Sequence, residues 1–122
     1  MKQIYFNDWA SLNWENLKGK EALQKDFEFT LTDEKIIFAS YYTGGYEGRA
    51  YVLFEQDGKL YEVFGGHCSC YGLEDQWKPE ELNSDYIPKR IELIDKDYHF
   101  DDLDREQKRL LKLRLKKLLT KI

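Results

Sequence analysis

Cysteine, proline and histidine are scarce in this sequence: its 122 residues include only two of each. Two cysteines are too few for a disulfide scaffold, and since no signal peptide is recognisable we expect a reducing, cytoplasmic location. No apolar run approaches the ~20 residues that a membrane-spanning helix needs, so we expect no membrane association. The sequence also lacks repeats, low-complexity tracts and Pro- or Ser-rich linkers, which indicates a single domain over residues 1–122.

Hydrophobic residues make up 42% of the sequence and aromatic residues 16%, a composition that predicts a packed core rather than a disordered chain. The formal net charge of -4 is unevenly distributed. Residues 105–122 hold eight bases and one acid, a charge of +7, whereas the other residues hold 11 bases and 22 acids, a charge of −11. An acidic body with a basic end indicates either a partner-binding protein or a fold whose halves neutralise each other.

The residue pattern predicts an α+β domain. An antiparallel meander of four to five strands, over about residues 26–71, packs against a long C-terminal helix over about residues 102–122. The N-terminal stretch Ile4–Leu17 spaces its aromatic residues as a short amphipathic helix, or a turn, that docks them on the core. Gly19 is predicted to end that segment.

Alternation of apolar and polar residues predicts the strands of the meander. They are Phe27–Leu31, Ile36–Tyr42, Arg49–Glu55 and Leu60–Phe64. Asp57-Gly58 predicts a type I′ hairpin between the last two, because both central residues of that turn take positive φ. Thr43–Gly48 contains three glycines but matches no phosphate-binding fingerprint, so we expect a turn that carries Tyr41, Tyr42 and Tyr46.

The last third of the chain is predicted to be mainly helical. Trp77–Leu82 resembles a helix start, because proline and two glutamates suit a first helical turn. Ile87–Leu93 is either a short helix or an edge strand, and Pro88 favours the margin of the sheet. The C-terminal helix has an acidic first turn and an apolar face, consisting of Leu111, Leu115, Leu118 and Ile122 with Leu103 and Leu110 beside it.

Both cysteines and one histidine lie within four positions of the segment Gly65–Leu73. His67, Cys68 and Cys70 are suitable zinc or copper ligands, but a structural zinc site needs four ligands and no second cysteine pair is present. A catalytic thiol needs a base in reach, and neighbours in a strand point to opposite faces. We therefore favour a structural role, in which Cys68 and Cys70 face the core and the alternate residues His67, Ser69 and Tyr71 face outward or line a groove.

The run from Gly65 to Glu81, GGHCSCYGLEDQWKPEE, resembles a segment of small, mostly uncharacterised bacteriophage and prophage proteins. In those proteins His-Cys-Ser-Cys-Tyr-Gly is followed by Gln-Trp and then by Pro-Glu-Glu. The resemblance covers about 17 of the 122 residues and the preceding hairpin. It carries no established activity, and what it implies is a phage-type accessory protein, for which binding a host factor is a common role.

Five bases of the C-terminal helix cluster opposite its leucines: Arg105, Lys108, Arg109, Lys112 and Lys116. For this face we expect contact with a partner, or with a second copy in a homo-oligomer, ahead of a merely solvated surface. Nucleic acid ranks last, because the acidic body repels a polyanion and no nucleic-acid-binding motif accompanies the helix.

These observations predict a phage-type accessory protein that binds, and inhibits or modulates, a host protein such as a defence protein. We expect no cofactor and no enzymatic activity. The predicted binding surface consists of Tyr42, Tyr46, His67, Tyr71, Trp77 and Arg109. One alternative is a small nucleotide-like ligand, with Arg49 and Arg109 as anion contacts. A second alternative is a metal or thiol site at His67, Cys68 and Cys70.

Overall fold

The computed structural model describes residues 2–68 and 72–120. The strands are β1 (Ile4–Asn7), β2 (Lys35–Gly44), β3 (Glu47–Gln56), β4 (Lys59–His67) and β5 (Glu80–Glu81). The helices are α1 (Gly19–Phe27), α2 (Ile87–Leu93) and α3 (Arg105–Thr120), with short 3₁₀ helices at Ser84–Tyr86 and Tyr98–Phe100. Within the described ranges, no helix has both the length and the apolar character needed to cross a bilayer.

The five strands form one mixed sheet in the order β1-β2-β3-β4-β5, which confirms the predicted α+β class with a C-terminal helix. β1 pairs with β2 in parallel, and the other pairs are antiparallel. The parallel pair was not expected from the meander. It arises because α1 carries the chain back along the sheet between β1 and β2, as parallel neighbours require.

Helices cover both faces of the sheet. On one face α1 packs Leu23 and Phe27 against Val52 and Phe54 of β3. On the other face α2 and α3 pack against the alternate β3 residues, Tyr51 and Leu53. The predicted apolar face of α3 is confirmed where it is described, since Leu111, Leu115 and Leu118 are buried; Ile122 lies outside the described residues.

Three predictions for the N-terminal third are wrong. Ile4–Asn7 is a strand rather than part of a helix or turn, and Gly19 begins α1 with a φ of 58° rather than ending a segment. Phe27 ends α1, and no strand runs to Leu31. Leu23 and Phe27, four residues apart, also fit a helical face, and Glu28 ends the helix in the left-handed conformation.

The hairpin prediction is confirmed: Asp57 and Gly58 have φ of 53° and 76° between β3 and β4. Trp77–Leu82 does not start a helix. It contains β5, which pairs with the free edge of β4, and the Leu82 N–H donates to the Leu60 carbonyl. Of the two structures predicted for Ile87–Leu93, the short helix is the one observed. Pro88 lies in its first turn, where the missing N–H of proline removes no helical hydrogen bond.

A buried ion pair links β4 to α2. Glu62 is 4% exposed and Arg90 9% exposed, and Arg90 Nε lies 2.8 Å from Glu62 Oε2. The Tyr51 hydroxyl donates to the same carboxylate at 2.7 Å. These contacts hold α2 on the sheet, and they give three polar side chains that are buried from solvent their hydrogen-bond or ion-pair partners.

Candidate binding surface

A cleft of about 460 Å³ opens at the end of the sheet where β1 leaves it. We call it the β1-end cleft. It is lined by Asn7, Asp8, Ser11, Leu12, Asn13, Trp14, Asp26, Tyr41 and Thr43. Its walls therefore come from the loop between β1 and α1, the last turn of α1 and the end of β2.

Local sequence shapes the wall that the loop contributes. Asn7 takes a φ of 61° and turns the chain out of β1, after which Trp9 is buried in the core at 1% exposure. The Asn13 side-chain oxygen accepts hydrogen bonds from the Glu15 and Leu17 N–H groups at 2.8 and 3.0 Å. Because Trp9 anchors one side of this turn and Asn13 closes it, the residues between them project outward.

Three large side chains are strongly exposed at this end of the molecule. Trp14 is 90% exposed, Leu12 60% and Tyr46 81%. Tyr46 lies in the β2–β3 turn, three residues beyond Thr43, which lines the cleft. The expectation that this N-terminal stretch docks its aromatics on the core holds for Trp9 and is wrong for Trp14.

The cleft is acidic, since Asp8 and Asp26 line it and no lysine or arginine does. Asp26 Oδ2 accepts the indole N–H of Trp9 at 2.8 Å, and Asp8 accepts the Thr43 hydroxyl. Burial raises the pKa of Asp26, against the effect of the Trp9 hydrogen bond, and the nearby charges of Asp8 and Glu15 raise it further. A cationic group would relieve this mutual repulsion of the carboxylates.

His67, the last residue of β4, lies at the same end of the sheet and contacts Tyr41. Its Nε2 lies 2.5 Å from the Tyr41 hydroxyl, and its Nδ1 lies 3.0 Å from the Cys68 carbonyl oxygen. That carbonyl can only accept, so the neutral ring carries its proton on Nδ1 and Tyr41 donates to Nε2. Burial, with the charges of Asp26 and Asp8, raises the pKa of Tyr41, which works against its use as a phenolate nucleophile.

The Cys-His segment differs from its predicted arrangement. Cys68 is exposed rather than facing the core, whereas His67 is half-buried against Tyr41 and lines a cavity, which is the second of its two predicted positions. The strand ends at His67, so the strand alternation that predicted a buried Cys68 no longer applies there. Cys70 and Tyr71 lie outside the described residues. Within the described parts of the chain, no three His, Cys, Asp or Glu side chains are grouped as a metal site.

The remaining predicted surface residues lie in different places. Tyr42, 44% exposed, lines a small cavity beside Asp102. Trp77 packs against Phe27 and stacks with Phe54 at 5.5 Å, toward the opposite end of β3 from Tyr46. Arg109 belongs to α3, on the other face of the sheet. The structure therefore places Tyr42, Tyr46 and His67 at one end of the sheet and does not bring Trp77 or Arg109 to them.

Arg49 belongs to a separate cavity of about 270 Å³. Its guanidinium donates to the Tyr98 carbonyl at 2.7 Å and lies over the Tyr98 ring. His67 and His99 also line this cavity, and Glu47 adds a negative charge. Arg109, the second expected anion contact, lies instead on α3 in a different cavity, where it is paired with Glu106.

Sequence reasoning missed Asp8, Leu12, Trp14 and Asp26 as candidate binding residues. They are brought together by the parallel β1–β2 pairing and by α1, neither of which the sequence pattern predicted. The sequence pattern gave no signal for this surface, because it grouped Trp14 with the aromatic residues expected to dock on the core.

Comparison with protein-family models, curated proteins and solved structures gives no match for this chain.

Proposed function

We propose that this protein acts by binding another protein through the β1-end cleft and the exposed side chains around it. The observation that carries the proposal is Trp14, 90% exposed on the rim of an acidic cleft. Tryptophan supplies much of the binding energy at protein interfaces, and exposing it without a partner leaves a large apolar surface in water. Leu12 and Tyr46 extend the same exposed surface.

The charge of the cleft indicates the chemistry of the partner surface. Asp8 and Asp26 have no basic neighbour among the residues that line the cleft, so a lysine or arginine of the partner is the complementary group. An indole on the rim adds attraction for the same cations through its ring face. The partner is therefore a protein with a basic segment.

The resemblance of residues 65–81 to phage and prophage proteins supports a bacterial host protein as this partner. Nucleic-acid-binding enzymes present basic surfaces of the kind that the cleft complements. On this proposal the protein inhibits such a host protein by occupying its basic surface.

Affinity capture from bacterial lysate with matched variants tests the proposal. Wild type and Tyr98→Ala, which removes an exposed aromatic outside the cleft, are expected to retain the same stoichiometric protein, whereas Trp14→Ala and Asp8→Asn/Asp26→Asn lose it. With the purified partner, Trp14→Ala should weaken binding by about 30-fold or more, which corresponds to roughly 2 kcal/mol. Capture that does not respond to the cleft variants would overturn the assignment.

A small anionic aromatic ligand is a second candidate function, supported by the cavity beside Arg49, where an arginine, two histidines and Tyr98 converge. Mass spectrometry of small molecules released by denaturing the natively purified protein tests it. A stoichiometric ligand that Arg49→Ala loses and Trp14→Ala retains would favour this candidate over protein binding.

A further inference from the structure

A second charged surface lies on the α2–α3 side of the sheet and shares no lining residue with the β1-end cleft. It is a groove of about 710 Å³ along α3, which we call the α3 groove. It is lined by Asp95, Arg105, Glu106, Lys108, Arg109, Lys112, Leu113 and Lys116. From Arg105 to Lys116 it spans 12 helical residues, which are separated by 11 rises of 1.5 Å and so extend over about 17 Å.

The two acids of the groove are already paired within the molecule. Glu106 accepts hydrogen bonds from the Arg109 guanidinium, and Asp95 accepts one from Lys112 Nζ at 2.5 Å. These hydrogen bonds lower the pKa of both carboxyl groups, so both are charged at neutral pH. Three bases of the groove have no acid partner among the described residues: Arg105, Lys108 and Lys116.

We propose that the α3 groove docks an acidic segment of a partner protein, whose carboxylates pair with the three unneutralised bases. Leu113, 41% exposed within the groove, would be covered by an apolar side chain of that segment. A groove of about 17 Å matches about three turns of an acidic helix. Charge complementarity selects the occupant, and the apolar contact fixes its position.

Three observations favour an acidic protein segment over nucleic acid. No aromatic side chain lines the groove, so bases have nothing to stack on. Leu113 offers an apolar contact, and a charged phosphate backbone has no apolar group to place against it. The rest of the chain, with its charge of −11, repels a polyanion that extends beyond the groove, whereas a short acidic segment stays within it.

Fluorescence anisotropy with synthetic probes tests the proposal. The probe is a labelled 14-residue helical peptide with glutamates on one face around a central leucine, and the control peptide has glutamine at every glutamate. We expect the acidic peptide to bind, more weakly as salt is added, and the glutamine peptide not to bind. Lys108→Glu/Lys116→Glu should weaken binding at least about tenfold, and Lys108→Gln/Lys116→Gln should weaken it less.

A matched variant separates the groove from net charge. Lys20→Glu/Lys25→Glu makes the same charge change on exposed lysines of α1, on the other side of the sheet, and should leave peptide binding unchanged. Leu113→Ser should weaken it several-fold. An equal loss in the α1 variant, or no binding of the acidic peptide, would overturn the proposal. So would tighter binding of a 12-base-pair DNA duplex that depends on Lys108 and Lys116, which would make nucleic acid the occupant.

Discussion

Replacing Glu62 with glutamine tests whether the buried ion pair holds α2 on the sheet. The substitution preserves the shape of the side chain and leaves the Arg90 charge buried without its counter-ion, and losses of this kind are about 3–5 kcal/mol. Arg90 also lies over the rings of Phe64, Tyr86 and Phe100, at 5.2, 5.4 and 5.6 Å, and these contacts stabilise the cation that remains. We therefore expect about 3 kcal/mol, the lower end of the range.

The expected loss of about 3 kcal/mol is a large part of the total free energy of unfolding of the domain. At the usual stability per residue, 122 residues give on the order of 6–18 kcal/mol. With a urea m-value of about 2 kcal/mol per molar, Glu62→Gln should lower the unfolding midpoint by roughly 1.5 M. Urea unfolding at pH 7 measures this through tryptophan fluorescence, because Trp9 is buried in the core and Trp77 packs on it.

A double-mutant cycle isolates the pair from its surroundings. Arg90→Met leaves the Glu62 carboxylate with only the Tyr51 hydroxyl, so it should lose about 4–5 kcal/mol, whereas the double variant buries no charge and should be no worse than either single. Tyr51→Phe keeps the pair and removes a hydrogen bond to a charged group, so it should lose about 1.5–3 kcal/mol. If the double variant loses the sum of the two singles within about 0.5 kcal/mol, the pair is not an energetic unit.

The same network makes stability depend on alkaline pH. Burial and the neighbouring Glu62 raise the pKa of Tyr51 well above its ordinary value, so the folded protein keeps a proton that the unfolded chain loses near pH 10. This contribution to stability is complete below pH 10 and is lost as the pH rises above it. Tyr51→Phe should flatten the fall between pH 9 and 11, though only in part, because burial also raises the pKa of Tyr5, to about 12, and of Tyr41.

Three further predictions concern the cleft and the end of β4. Gly48→Ala should lower the free energy of unfolding by about 1–3 kcal/mol, because the added Cβ would lie 2.3 Å from His67 Nε2. The Cβ of Gly66→Ala would meet nothing nearer than 3.6 Å, so urea unfolding of that variant should be nearly unchanged. Asp26→Asn keeps an acceptor for Trp9 and removes a carboxylate whose pKa is raised. The wild type should therefore lose stability relative to the variant as the pH rises from 3 to 7, and a stability difference that stays constant or shifts toward the wild type over this range would contradict this. In a Cys70→Ser background, a thiol reagent should label native Cys68 within about tenfold of its rate on unfolded protein, and strong protection would refute its exposure.

Local chemistry predicted the elements that depend on it. Asp57-Gly58 specified its hairpin because few residues tolerate two successive positive φ angles, and α3 followed from its leucine spacing and its charge order. Phe27–Leu31 was assigned wrongly because a five-residue apolar alternation is compatible with a helix end followed by an irregular segment. β5 could not be predicted, since two residues form it only because β4 offers them a free edge.

The buried pair shows a signal that sequence reasoning could have used. Glu62 alternates with Tyr61 and Val63 and so shares the inward face of β4 with Leu60, while Arg90 lies between Ile87 and Ile94 on the buried face of α2. Because a buried charge is costly unless it is paired, an acid on a buried strand face and a base on a buried helix face are expected to pair with each other. The β1-end cleft gave no such signal, because residues 8, 26 and 43 meet only once β1 has paired with β2.

Packing and hydrogen bonding explain several residues of the segment from Gly65 to Glu81, which begins at the end of β4. A Cβ on Gly65 would lie 2.9 Å from the buried Leu73, so this position requires glycine unless Leu73 moves. The Gln76 side chain accepts the Gly66 N–H at 2.8 Å and donates to the Gly72 carbonyl at 2.9 Å, which ties the segment after β4 to the end of the strand. These contacts hold Gly72, Leu73 and Gln76 against the end of β4 and involve no partner. A resemblance carried by this segment and the preceding hairpin therefore reflects the fold as well as any function, and the chemistry of the proposed partners follows from the two charged surfaces outside it, the β1-end cleft and the α3 groove.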